Sequence, residues 1–229
     1  MDIHGLQKMT LLDYPGKVAC TVFLGGCDFR CPFCHNGELV EDPGPAQMNE
    51  AGLLEFLRRR RGLLDGVCIT GGEPLLRPDL AGPLKAIKDL GFLVKLDTNG
   101  THPHRLRELV EAGLVDYVAM DVKNSPERYA ETVGLEKLDL APIRESVDYL
   151  LSGAVDYEFR TTVVKQFHDE GSFRTLGPWL AGAKRYFLQS FVDRDTVLRA
   201  GLTPCSKEEL EGFVRLLKAD VPQVELRGV

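Results

Sequence analysis

The sequence predicts an α/β protein with a mainly parallel sheet. Short runs of β-type residues alternate with segments of helical period, which is typical of repeated strand–helix units. Most of the strand runs are almost continuously apolar, as expected of parallel strands that are covered on both faces. The 229 residues, 44% of them hydrophobic and 27% charged, are enough for a substantial core. Periodicity alone does not decide whether the sheet closes into a barrel.

Six strands are predicted along the chain, at 18–24, 67–70, 92–97, 117–121, 157–164 and 186–191. Amphipathic helices separate them, because apolar residues recur three and four positions apart. These apolar faces are Leu53, Phe56 and Leu57; Leu80, Leu84 and Ile87; Leu106, Leu109 and Val110; and Ile143, Val147 and Leu150. Pro83 lies inside the second helical pattern, so we expect that helix to begin late or to kink.

The two ends of the chain add smaller elements. Residues 3–12 are expected to form a short hairpin, and 224–226 a short final strand. A last helix carries Leu210, Phe213, Val214 and Leu217, and the pattern Ser206…Glu209 predicts a capping box at its start. No linker or low-complexity tract interrupts the pattern, so a single domain over 1–229 is predicted.

Charge and hydropathy favour a cytoplasmic protein. The formal net charge of −6 argues against a nucleic-acid partner, which would need a basic surface. No apolar run reaches the roughly 18 residues that span a bilayer, so no membrane partner is expected. The N-terminus, MDIHGLQKMT, lacks the basic start and apolar stretch of a signal peptide. In the cytoplasm thiols stay reduced, which favours metal or redox chemistry for clustered cysteines.

Three of the six cysteines, Cys27, Cys31 and Cys34, lie within eight positions on the predicted loop 25–36. The spacing C-x3-C-x2-C is compatible with an iron–sulfur site, a zinc site or coincidental packing. A structural zinc site normally has four protein ligands, but His35 is adjacent and badly placed, and Cys68 and Cys205 are distant. Three soft thiolates on one loop favour a [4Fe–4S] cluster that keeps one iron open to another ligand.

A second motif, ITGGEPLL at 69–76, follows the second predicted strand. Gly71 and Gly72 let the backbone bend sharply and approach a ligand closely, while Glu73 supplies a carboxylate and Pro74 stiffens the exit. Alone, this motif is an ordinary strand-to-helix turn.

Together the two motifs resemble the radical S-adenosylmethionine (SAM) superfamily, and Phe33 before the third cysteine is part of the resemblance. It implies a partial TIM-like (β/α)6 barrel of the radical SAM type, in which one [4Fe–4S] cluster binds SAM and cleaves it reductively. It also implies that Cys27, Cys31 and Cys34 hold the cluster. Further implied contacts are Gly71, Gly72 and Glu73 with the SAM amino group, and Phe33 and His35 with the adenine.

Flanking segments resemble the activating enzymes of glycyl-radical proteins. These segments are CPFCHN with Asn36, VKLDTNG (94–100), YVAMDVK (117–123), DYEFRTTVV (156–164) and YFLQSF (186–191). Over residues 3–228 the resemblance is to activating proteins of anaerobic ribonucleoside-triphosphate reductase. It implies a glycyl-radical protein as partner and an electron donor such as flavodoxin or ferredoxin. Residues 35–67 contain no cysteine, so a single cluster is expected.

Five more residues are expected around SAM at the strand ends, namely Asp97, Thr98, Asn99, Asp121 and Lys123. Converging charges there would need a charged ligand to balance them, although each residue alone would equally satisfy a loop or a helix N-terminus. Asp97, Thr98 and Asp121 match positions that in some activating enzymes help to hold a monovalent cation.

Three other polar residues have no assigned role. Arg160 and Gln189 either point toward SAM or substrate or pair with neighbouring carboxylates. His168 belongs either to an active-site loop or to the surface.

Three functions are compatible with these patterns. The first is an enzyme that forms a glycyl radical on anaerobic ribonucleotide reductase. The second is a radical SAM enzyme that acts on a small molecule, such as a modified-base precursor. The third is a metal-binding interaction module without catalysis, which would leave the Gly-Gly-Glu-Pro turn unexplained.

Overall fold

The computed structural model describes residues 1–228, and contacts divide this chain into two compact units. The first unit comprises Met1–Asp28, Glu38–Thr98 and His102–Ala119. The second comprises Phe29–Gly37, Asn99–Thr101 and the described residues from Met120 onward. The single domain over 1–229 stays a prediction, and each unit is described by itself.

Ten strands and eight α-helices occur in residues 1–228. The strands are β1 Asp2–Ile3, β2 Gly5–Thr10, β3 Ala19–Leu24, β4 Met48–Asn49, β5 Gly66–Gly71, β6 Leu93–Thr98, β7 Tyr117–Asp121, β8 Asp156–Val163, β9 Tyr186–Ser190 and β10 Val224–Arg227. The helices are α1 Gly37–Glu41, α2 Glu50–Arg58, α3 Ala81–Asp89, α4 Pro103–Glu111, α5 Tyr129–Thr132, α6 Ala141–Leu151, α7 Glu170–Trp179 and α8 Lys207–Leu217. Pro74–Leu76 and Pro126–Arg128 form short 3₁₀ helices.

The first unit is built on parallel strands in the order β3-β5-β6, with the start of β7 beside β6. Cys20 lies opposite Val67, and Val67 lies opposite Val94, so the three carboxyl ends lie at one edge. Strands β3 and β5 are buried almost throughout, as their continuous apolar pattern predicts. The segments that follow these strands therefore share one edge of the sheet.

The hairpin expected at residues 3–12 is wrong. β1 pairs antiparallel with β4, whereas β2 pairs antiparallel with β3, so these residues do not pair with each other. The physical reason is the position of the turn. Residues 11–18 contain Pro15 and Gly16, and Gly16 has the positive φ of 69° that a chain reversal there uses.

The second unit contains the end of β7 and the parallel strands β8-β9-β10. β10 confirms the short final strand that was predicted, and it lies parallel to β9. α7 and α8 pack together through Phe173 and Phe213, whose ring centroids are 4.5 Å apart. The capping box at the start of α8 is confirmed, with both the Ser206 and the Glu209 hydrogen bonds formed.

One helix confirms the sequence patterns and another differs from them. α3 begins at Ala81, after Leu80 of the apolar pattern, so the late start expected from Pro83 is confirmed, and Pro83 lies in the first turn, where the missing N–H is not needed. α7 was not predicted because Gly171, Gly177 and Pro178 count against a helix. It forms because Phe173 and Leu176 are buried on one face and the Asp169 side chain accepts a hydrogen bond from the Ser172 amide.

Candidate functional site

The Gly-Gly-Glu turn lies directly on the start of the cysteine loop in the first unit. β3 and β5 end together, with Leu24 opposite Gly71. The Gly72 amide then donates to the Leu24 carbonyl at 2.8 Å, and the Glu73 amide donates to the Gly26 carbonyl at 2.8 Å. Two motifs that are far apart in sequence are therefore joined by main-chain hydrogen bonds one residue before Cys27.

Only glycine fits at the two central positions of this turn. Gly71 has a φ of 117°, and a Cβ there would collide with the main chain of Leu24. A Cβ on Gly72 would collide with the Gly26 carbonyl oxygen. The two glycines are thus required for the close approach of the turn to the loop.

Glu73 holds the turn through its side chain. It is 1% exposed, and its Oε1 accepts hydrogen bonds from the Leu75 amide at 3.0 Å and from Thr98 Oγ1 at 3.0 Å. Thr98 is buried at the end of β6, so the carboxylate connects the ends of β5 and β6. The predicted contact of Glu73 with SAM stays a prediction, and the structure adds this organising role.

A buried ion pair lies within β6. Lys95 is 1% exposed, and its Nζ pairs with the Asp97 carboxylate, which is itself 17% exposed. The prediction of Asp97 as a site residue did not include this partner. A lysine inside the otherwise apolar run 93–96, two residues before Asp97, is the sequence signal that would have revealed it.

The cysteine loop continues into the second unit. Cys31 is buried, Cys27 and Cys34 are half-buried, and none of the three thiols is oxidised to a disulfide. The Arg30 amide donates to the Val133 carbonyl at 2.9 Å, and the Arg199 amide donates to the Pro32 carbonyl at 2.9 Å. Within the second unit, two other segments therefore brace this loop by main-chain hydrogen bonds.

Asp121, Lys123 and Arg160 form a charged network after β7. Asp121 accepts from Lys123 Nζ at 2.9 Å and from Arg160 Nε at 2.8 Å. Burial alone would raise the pKa of Asp121, but the charges of Arg160 and Lys123 hold it below its ordinary value. Burial would lower the pKa of Lys123, but the Asp121 charge raises it. Both groups therefore stay charged, and Arg160 is assigned to pairing with a carboxylate.

The charge of Lys123 acts on the cysteine loop. Burial raises the pKa of the Cys34 thiol, while a backbone hydrogen bond from Asn36 and the positive charge of Lys123 oppose that rise. Cys31 also interacts electrostatically with Lys123. A nearby ammonium favours the thiolate form that metal coordination requires.

His35 forms one wall of a pocket of about 250 Å³ in the second unit. Its ring stacks on Phe191 at 5.5 Å between centroids, and its Nε2 lies 2.6 Å from the Val192 carbonyl, to which it donates. Gln189, which had no assigned role, lines the same pocket. Phe33 is buried and packs on Phe167 at 5.8 Å between centroids, so the two predicted adenine residues differ in exposure.

The side chains of Asn99 and His168 form hydrogen bonds with main-chain groups. Asn99 Oδ1 accepts from the Thr101 amide at 3.0 Å and from Thr101 Oγ1 at 2.6 Å. His168 is 3% exposed on the loop between β8 and α7, so the surface position is wrong, and its membership of an active-site loop stays a prediction. Its Nδ1 accepts from the Val164 amide at 3.1 Å, its Nε2 donates to the Lys123 carbonyl at 2.9 Å, and burial lowers its pKa to about 4.

The donor chemistry fits an iron–sulfur cluster. Residues 1–228 contain no group of three or more His, Cys, Asp or Glu side chains already arranged as a metal site. The three loop cysteines nevertheless supply reduced, soft sulfur ligands, which select iron–sulfur over hard cations. Gly71 and Gly72 have no Cβ atoms, so the turn can bring its main chain close to the start of the cysteine loop.

Comparison with known proteins gives the family. The model of the Radical SAM superfamily matches residues 21–171. A Methanocaldococcus jannaschii protein named as a glycyl-radical enzyme activating enzyme is 32% identical over 99% of this chain and 96% of its own length. The pyruvate formate-lyase-activating enzyme of Clostridium pasteurianum is 34% identical over 53% of this chain and 52% of its own length.

A solved structure supports the fold. Streptococcus suis SuiB bound to S-adenosylmethionine superposes with a TM-score of 0.70 at 14% identity, over 91% of this chain and 52% of that one. The predicted α/β fold class of the radical SAM type is therefore confirmed. The family uses a [4Fe–4S] cluster and SAM, and the homologues support an enzyme of the activating type. The chain belongs to the radical SAM superfamily, with glycyl-radical enzyme activating enzymes among its homologues.

Proposed function

We propose that this chain forms a glycyl radical on anaerobic ribonucleoside-triphosphate reductase. The observation that carries the activating role is the match over 99% of the chain to a relative named as a glycyl-radical enzyme activating enzyme. The choice of reductase as partner rests on the segments CPFCHN, VKLDTNG and YVAMDVK. A reduced flavodoxin or ferredoxin is the proposed source of the electron.

The overall reaction balances as one electron in and one hydrogen atom transferred. The cluster that Cys27, Cys31 and Cys34 would hold would supply one electron to SAM, and breaking the bond between sulfur and C5′ would yield methionine and a 5′-deoxyadenosyl radical. That radical takes the hydrogen atom from the Cα of the partner's glycine. The products are 5′-deoxyadenosine and a carbon-centred radical on the partner.

The chain's own residues bind and orient in this proposal. Cys27, Cys31 and Cys34 hold the cluster, and Lys123 stabilises the thiolate form of the loop through its charge. The turn of Gly71, Gly72 and Glu73 holds the SAM amino group in this proposal. The Gly72 and Glu73 amides already donate to Leu24 and Gly26, so carbonyl oxygens of the turn are the main-chain groups that would accept from it.

The remaining predicted contacts concern the other parts of SAM. Lys123, held by Asp121, offers an ammonium to the SAM carboxylate. The pocket beside His35 and Gln189 accommodates the adenine. Phe33 supports this loop from the buried side through Phe167, since its ring is largely inaccessible.

Electron paramagnetic resonance tests the proposal. Anaerobically reconstituted protein, dithionite and SAM are mixed with anaerobic ribonucleotide reductase, or in a parallel sample with pyruvate formate-lyase. We expect a glycyl doublet and nucleotide reduction in the first sample and a much weaker doublet in the second. The Cys31→Ala variant is expected to abolish the signal, whereas Cys205→Ala keeps it.

Two outcomes contradict the proposal in different ways. A doublet on pyruvate formate-lyase but not on the reductase would keep the activating role and replace the partner. No doublet on either protein, together with faster release of 5′-deoxyadenosine on addition of a small metabolite, would favour the small-molecule enzyme.

A further inference from the structure

The two carboxylates that the family resemblance links to a monovalent cation already have cationic side chains beside them. In the first unit Asp97 pairs with Lys95. In the second unit Asp121 accepts from Lys123 at 2.9 Å and from Arg160 at 2.8 Å. The negative charge at each position is therefore matched within its own unit by the protein itself.

Lys95 occupies an interior position that a charged residue rarely takes. It lies opposite Cys68 in the register of β5 and β6, and Cys68 lies opposite Thr21 in β3. These three residues lie side by side across the three strands, and all three are at most 2% exposed. Thr21 Oγ1 in turn donates to Asp13 at 2.6 Å.

Burial of this ammonium needs a specific compensating partner. An isolated charge in a protein interior is strongly unfavourable unless it is paired and hydrogen-bonded. The Asp97 carboxylate provides that partner two residues along the same face of β6. The Lys95 ammonium thus lies against Asp97, where a bound monovalent cation would otherwise balance the carboxylate.

We propose that the Lys95 ammonium takes the place of a monovalent cation at Asp97, so that this chain needs neither K⁺ nor Na⁺ there. The assignment of Asp97 to the SAM pocket rests on the proposed function. The charge balance between Lys95 and Asp97 does not rest on the proposed function, because the two side chains pair in the folded protein without any cofactor.

Thermal unfolding of the cofactor-free protein tests the proposal directly. We compare KCl, NaCl and choline chloride at equal ionic strength. The wild-type melting temperature is expected to be the same in all three salts. Lys95→Met leaves a poorly solvated carboxylate, so its melting temperature should fall by about 10 °C in choline chloride. K⁺ or Na⁺ should recover a large part of that loss.

Lys88→Met is the matched control in the same unit. Lys88 pairs with Asp116 at 2.6 Å, but both side chains are about a quarter exposed, at 24% and 28%. Water can solvate Asp116 after this substitution, so we expect a smaller loss of stability and no preference for K⁺ or Na⁺ over choline.

The double variant Lys95→Met/Asp97→Asn keeps the test decisive if the single variant does not fold. It removes both charges, so it should fold, melt above the single variant and show no dependence on the cation. Wild-type melting that rises specifically with K⁺ or Na⁺ would overturn the proposal. So would a Lys95→Met variant that folds and melts alike in all three salts, or a double variant that melts no higher than the single variant.

SAM affinity of the cluster-loaded protein provides a second measurement. The dissociation constant of the wild type is expected to agree within twofold across the three salts. Cation-independent stability without any glycyl radical would contradict only the proposed function. A glycyl radical formed only with K⁺ or Na⁺ present would contradict only the replacement of the cation by Lys95.

Discussion

At the scale of single residues, several polar side chains of this protein organise the main chain. His168 is a buried example, because its two ring nitrogens form hydrogen bonds with the main chain of Val164 and of Lys123. Nδ1 accepts from the Val164 amide and Nε2 donates to the Lys123 carbonyl, as a neutral ring does. The Val164 carbonyl also lies 3.2 Å from Nδ1 and could accept from a protonated ring, but burial disfavours the charged form.

The charge state of His168 predicts how stability depends on pH. Its pKa is lowered from 6.5 to about 4 because burial disfavours the charged form. Between these values the unfolded chain binds a proton that the folded chain excludes, so stability falls as pH decreases from 6.5 toward 4. The full loss from this residue is about 3 kcal/mol.

Urea unfolding at pH 7.5, 6.0 and 5.0 measures this contribution. His168→Gln removes the titrating group, so its stability should decrease less steeply over the same range. Equal slopes for wild type and variant would show that other groups dominate the acid response.

The loop cysteines predict the composition of the metal centre. Anaerobic reconstitution should give about four iron and four sulfide per chain, as expected for one [4Fe–4S] cluster. Alanine at Cys27, Cys31 or Cys34 should abolish cluster uptake, because an incomplete set of thiolates does not hold the cube. Iron and sulfide analysis with the visible absorption spectrum provides the measurement.

Cys205 is the control for this experiment. It is a free, buried cysteine in the second unit, away from the loop in sequence, and burial raises its pKa to about 11. Cys205→Ala should therefore retain a full cluster. Stoichiometric zinc without iron in anaerobically purified protein would contradict the iron–sulfur assignment.

At the scale of elements, the strand-to-helix turn after β5 connects the two sequence motifs. Gly72→Ala introduces a Cβ that collides with the Gly26 carbonyl oxygen, so the turn must move away from the cysteine loop. We expect a loss of stability of about 1–3 kcal/mol, since neither backbone segment can yield easily. Weaker SAM binding should accompany it.

Gly82→Ala is the matched substitution in α3 of the same unit. A Cβ there meets no atom within 4 Å, and alanine favours a helix over glycine by about 0.5–1 kcal/mol. We therefore expect a small gain in stability and unchanged SAM binding. Urea unfolding and calorimetric SAM titration of both variants distinguish a local collision from a general intolerance of change.

At the scale of the whole molecule, the last quarter of the chain carries features that the family model does not cover. That model matches residues 21–171, whereas the M. jannaschii relative aligns with 99% of the chain. β9, which contributes Gln189 to the pocket beside His35, lies beyond residue 171.

Across residues 1–228 the longest helices, α6 and α8, have 11 residues each, and none is long and apolar enough to cross a bilayer. The cytoplasmic location and the absence of a nucleic-acid partner stay predictions.

Local sequence determined the elements, because each depends on a periodicity of a few residues. The continuous apolar runs place β3 and β5 through β9, and spacings of three and four residues place most of the helices. The motifs C-x3-C-x2-C and Gly-Gly-Glu-Pro likewise depend on residues that are adjacent along the chain. They were sufficient for the family, which the comparisons confirm.

The tertiary structure decided which polar residues meet, since pairing depends on strand register and burial rather than on local pattern. No spacing rule predicts the hydrogen bond between Glu73 and Thr98. The sequence left two roles open for Arg160, and the structure shows that it pairs with Asp121. α7 formed against its glycines and proline because burial of one face outweighed propensity. Lys95 is charged and buried only because β6 places Asp97 beside it, and a sequence does not reveal how far each side chain lies from water.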